Sequence, residues 1–68
     1  MSSLSKESIA TIESLAYRSK RGERLFGDDL VFLSECLELD EEAYSKAHNA
    51  GSSRATSEAS HTNHNRAI

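Results

Sequence analysis

A small all-α helical hairpin is predicted by three features of the sequence. Large apolar residues recur at helical spacing between Leu4 and Tyr44. Leu4, Ser5, Glu7 and Ile9 together form a helix-start signature. Gly27 followed by Asp28 and Asp29 joins a stop signal to a start signal between two amphipathic stretches. With 68 residues, 37% of them hydrophobic, the chain has room for one small domain and no second one.

The first helix is expected to begin at Ser5 or Lys6. Ser5 is placed to cap it, Glu7 puts a negative charge in the first turn where the helix dipole favours one, and Leu4 and Ile9 stand at the two positions of a hydrophobic staple. Ile9, Ile12, Leu15 and Ala16 form the apolar stripe, which Ser19 and Gly22 continue with small side chains that permit a close helix contact. Two ends are open. Gly22 closes the helix as a left-handed residue, or the helix runs through it to Leu25 and Phe26 and stops at Gly27. The longer form is preferred, because Phe26 falls on the same stripe.

A second helix then starts with Asp28 or Asp29 as its cap. From residue 30 to residue 48, Leu30, Phe32, Leu33, Cys36, Leu37 and Tyr44, with Leu39, Ala43 and Ala47, cover about half of the circumference, and Glu35, Glu38, Glu41 and Glu42 lie opposite. One neighbouring helix covers a narrower strip than that. The remainder marks an interface, so Leu30, Phe32, Leu33, Cys36, Leu37 and Tyr44 are the expected dimer or partner surface, and pairing two hairpins into a four-helix arrangement is the expected assembly.

Asp40 conflicts with a continuous second helix, since it falls within the apolar arc and an unpaired carboxylate buried there costs several kcal/mol. Two resolutions are open. In one, Asp40 caps a new helix, with Glu41 and Glu42 in its first turn and Leu39 and Tyr44 as a second staple. In the other, the helix continues and Asp40 pairs with Arg18, Arg21 or Arg24. The capping reading removes the conflict outright.

From His48 to Ala67 there is no large apolar residue. The hairpin domain is therefore set at residues 1–50, and residues 51–68 read as a disordered tail rich in Ser, Asn and His. A folded part of about 45 residues is short for an unassisted core. Cys36 is the only cysteine, so no internal disulfide supports it and oligomerisation is the remaining route.

The net charge is −3, with the signs segregated: Arg18, Lys20, Arg21 and Arg24 form a basic cluster and Glu35 to Glu42 an acidic one. The basic cluster is a solvated face or a docking surface for an acidic partner. Neither a signal-peptide pattern nor 18 consecutive apolar residues occurs, which predicts a cytoplasmic protein without a membrane segment.

No second catalytic acid, nucleophile with a base or positioned His accompanies Asp40 to make it a catalytic carboxylate, and neither a zinc spacing nor a phosphate-binding glycine loop occurs. His48, His61 and His64 read as solvated polar residues. No enzyme activity, cofactor or metal is expected. The expected work is binding another protein, as a small regulator, adaptor or inhibitor of the kind phages and mobile elements encode. The alternative is a helix-turn-helix DNA-binding regulator with residues 40–49 as its reading helix. Against it stand Glu38, where the turn would favour glycine, and three acids at the end meant to enter the groove.

Overall fold

The computed structural model describes residues 4–67, with side chains through Glu58. The described chain is all-helical, in the order α1 (Lys6–Lys20), α2 (Gly27–Leu39) and α3 (Glu41–Ala67). The second helix of the expected hairpin is broken at Asp40, the alternative left open by the sequence, which makes three helices in place of two.

α1 starts as the sequence predicts. Ser5 is its N-cap, and the Ser5 hydroxyl oxygen accepts a hydrogen bond from the Ser8 backbone N–H at 3.1 Å. Leu4 is buried and Ile9 packs on the same core, which is the staple. The other end corrects the preferred reading. Gly22 has φ +96°, its N–H donates to the Ser19 carbonyl, and the Glu23 N–H donates to the Arg18 carbonyl, both at 3.0 Å. This pair of bonds is a complete Schellman closure. It satisfies carbonyls that the longer helix would have satisfied with its next turn, and it needs the left-handed residue that Gly22 supplies.

Because α1 ends early, residues 23–26 become a connection and Phe26, not Asp28 or Asp29, is the N-cap of α2. Phe26 offers no side-chain cap. Asp28 and Asp29 instead sit in the first turn, where they favour the helix through the dipole. α2 ends at Asp40, whose backbone is extended (φ −156°, ψ 86°). The Ala43 N–H donates to Asp40 Oδ1 at 3.1 Å and the Tyr44 N–H to the Asp40 carbonyl at 2.9 Å. Asp40 therefore caps α3, with Glu41 and Glu42 in its first turn. Leu39, expected to staple onto Tyr44, stays 61% exposed.

α1 packs chiefly on α3, and much less on α2. Glu13 meets Gly51, and one turn further on Tyr17 meets Glu58, so α1 and α3 run parallel and α2 carries the chain back between their ends. What makes this contact close is a column of small residues on α3: Ala43, Ala47, Gly51 and Ala55, each four residues from the last. Ala47, Gly51 and Ala55 are buried. The domain limit expected at residue 50 thus falls inside a helix, and the segment read as a tail from Gly51 enters the helix pair. Small side chains bury little area each, but they let two backbones approach until van der Waals contacts are numerous. The remaining core joins Leu4, Ile12, Leu15, Leu33, Cys36 and Ala47, with Ile9, Leu25, Phe32, Ala43 and Tyr44 packed against it.

Candidate functional site

The surface that the fold leaves unused is on α2. Only Leu33 and Cys36 of this helix are buried, with Phe32 partly so. Phe26 at its N-cap is 72% exposed, Leu30 54%, Val31 58%, Leu37 38% and Leu39 61%. Successive helix positions are separated by about 100°, which places Leu37, Leu30, Ser34, Glu38 and Val31 together on one side of α2. Leu39 is on the far flank of the buried strip.

The six residues expected to form one interface are therefore divided. Leu30 and Leu37 are exposed and available. Leu33 and Cys36 belong to the protomer's own core, and Phe32 and Tyr44 lie partly buried against it. The arc is wide, as expected, because α2 serves the core with one strip and leaves another uncovered. Phe26, Val31 and Leu39 were missed as surface residues. Phe26 was counted into the stripe of a longer α1, and Val31 lies outside the half-circle of apolar positions.

The basic cluster is likewise divided. Arg18 spans the Schellman turn, donating from Nε (3.1 Å) and Nη2 (2.6 Å) to Oε1 of Glu23. Hydrogen bonding to Arg18 holds the Glu23 carboxyl below the usual carboxylate range, and the same bond raises the Arg18 guanidinium above its ordinary value. Arg21 donates from Nη1 to the Tyr17 hydroxyl at 2.8 Å and to Glu58 Oε1 at 3.2 Å. The Tyr17 hydroxyl also donates to Glu58, and Arg54 stacks over the Tyr17 ring, 4.7 Å from its centroid. This group ties the end of α1 to α3 one turn beyond Ala55. Arg18 pairs with Glu23 and Arg21 with Glu58. Arg24 lies in the connection, not on a helix face shared with Arg18 and Arg21. Among the described residues, Lys20 and Arg24 are exposed and make no ion pair.

A groove of about 640 Å³ runs between α1 and α3, lined by Ile9, Glu13, Asp40, Glu42, Lys46 and Ala50 among others. It is open along one side. Its lining holds carboxylates and a lysine but no nucleophile with a base. His48 stacks on Tyr44, ring centroids 5.6 Å apart; the side chains of His61 and His64 lie outside the described residues. No group of three metal-ligating side chains occurs among the described residues. No helix there is long and apolar enough to cross a membrane. Comparison with protein-family models, curated proteins and solved structures returns no match to this chain.

Proposed function

We propose that this chain is a non-enzymatic protein-binding module, a regulator, adaptor or inhibitor in type, whose docking surface is the outer face of α2. The observation that carries this reading is the exposure of Phe26, Leu30, Val31 and Leu37 on a helix already anchored by Leu33 and Cys36. Keeping a cluster of large apolar side chains in water forgoes roughly 1.5–3 kcal/mol for each that a contact would fully bury, and clusters of this kind mark interaction sites. Lys20 and Arg24 are exposed and make no ion pair among the described residues, so they supply charge that the fold does not consume. The homodimer expected from the sequence belongs to the same reading, with Leu30 and Leu37 as its centre in place of Leu33 and Cys36.

A DNA-binding role is disfavoured by the arrangement at Asp40. A single capping residue joins α2 to α3, where a helix-turn-helix uses a turn of about 3–4 residues, and Glu41 and Glu42 at the start of α3 would face phosphates. The protein-binding reading is tested by affinity capture from native cells with the wild type and with the Leu30→Asp/Leu37→Asp double variant. The expected result is one or more proteins retained by the wild type and lost with the variant at matched helicity. Equal capture by both would overturn it.

A further inference from the structure

Resting on the reading of α2 as a docking surface, and choosing between the two occupants it allows, we infer that the face takes a different protein presenting a basic amphipathic helix, and not a second copy of this chain. At about 100° per residue, Leu30 and Leu37 form one outward row of α2 and Val31 and Glu38 another, with Gly27 and Ser34 between them. Leu30, Val31 and Leu37 are exposed, and a Cβ added at Gly27 would meet nothing within 4 Å. The small middle row is thus an open furrow between two ridges, the relief into which a facing helix sets a row of its own side chains.

Charge decides which helix. Beyond Val31 on the same projection lies a row of Asp28 and Glu35, next to Glu38; all three are exposed and make no ion pair among the described residues. The opposite edge of the face runs into Leu33 and the core. α2 carries four acids, Asp28, Asp29, Glu35 and Glu38, and no Lys or Arg, so nothing on the helix neutralises the row. Two copies paired antiparallel through this face would lay their acid rows side by side. Paired parallel, each acid row would meet the uncharged Leu33 edge of the other copy. Neither arrangement supplies a cation, and like charges brought together across an interface oppose it. The same row repels phosphate, which sets nucleic acid and anionic lipid aside. A helix with Lys or Arg along one flank of an apolar stripe meets both halves of the face at once.

The test is titration of the full chain with three labelled helical peptides, followed by fluorescence anisotropy. The first has leucines at every third and fourth position flanked by lysines; the second has glutamates for the lysines; the third has alanines for the leucines. The lysine–leucine peptide is expected to bind, less tightly as salt rises, and the other two about tenfold more weakly or worse. Glu35→Lys/Glu38→Lys weakens binding of the first peptide by about tenfold and improves binding of the glutamate peptide. Leu30→Asp/Leu37→Asp, at matched helicity by circular dichroism, loses the first peptide although it adds negative charge, which separates docking from attraction by charge alone. Equal binding of the first peptide and either of the others, or undiminished binding to Leu30→Asp/Leu37→Asp, overturns the inference. So does a wild-type dimer by light scattering that Leu30→Asp/Leu37→Asp dissociates, because a second copy then covers the face. If no peptide binds while Leu30→Asp/Leu37→Asp still abolishes capture of another protein, the basic helix is overturned and the docking surface stands.

Discussion

Gly51 of α3 lies directly against the backbone of Glu13 in α1: a Cβ on Gly51 would collide with the Glu13 carbonyl oxygen and sit 2.9 Å from its carbonyl carbon. Backbone cannot rotate away as a side chain can, so the two helices would have to separate. Gly51→Ala should gain up to about 1 kcal/mol of helix propensity and lose about 1–3 kcal/mol or more through overpacking. The expected net result is destabilisation, with the melting temperature falling by several degrees. Thermal unfolding followed by circular dichroism decides it; a rise in melting temperature would show that the close α1–α3 contact is not made.

The cap at Asp40 separates α2 from α3. Asp40→Ala removes the acceptor for the Ala43 N–H and should cost about 1 kcal/mol, while Asp40→Asn, which keeps an acceptor oxygen, should cost less. Chemical denaturation of the three proteins checks the order. Equal stability for the alanine variant would favour a continuous helix through position 40.

Burial pushes the Cys36 thiol above its usual range, with a smaller contribution from the Glu35 carboxylate. A group that is more easily kept protonated when folded contributes stability that is complete below its unfolded pKa and fades as the pH rises through that value towards the folded one. Stability should therefore decline on the alkaline side. Thiol labelling at neutral pH should be slow and should accelerate in parallel with unfolding by denaturant. Fast labelling of the native protein would place Cys36 at the surface.

Legibility in the sequence follows the range of the interaction. Ser5, the Leu4–Ile9 staple and the Asp40 cap were readable because each is decided within five residues of sequence. Gly22 was readable as one of two stops, and the choice turned on Phe26, which fits an α1 stripe by period alone yet ends up exposed at the start of α2. The pairing of Arg21 and Tyr17 with Glu58 is set by the α1–α3 contact and has no local signal. The segment from Gly51 was misread for a different reason. Judged by large apolar residues it has nothing to bury, but its alanines and glycine recur every fourth residue, in phase with Ala43 and Ala47. That spacing was present in the sequence and is the sign of a closely packed helix pair.

For the docking surface, the wide apolar arc was legible and its division was not. Which strip of α2 the core would use depends on where α1 and α3 lie, and α1 turned out to pack on α3. Leu33 and Cys36 were thereby taken into the core, and Leu30 and Leu37 were left outside.

Hydroxyl-radical footprinting tests most directly whether the outer face of α2 is the protein's working surface. It compares dilute, unassembled protein with the assembly it forms, whether with itself or with a captured protein. Phe26, Leu30, Val31 and Leu37 should all react in the dilute protein and lose reactivity together in the assembly, while Leu39 on the far flank changes little. Unchanged reactivity of those four side chains, with protection appearing instead around Tyr17, would contradict the account.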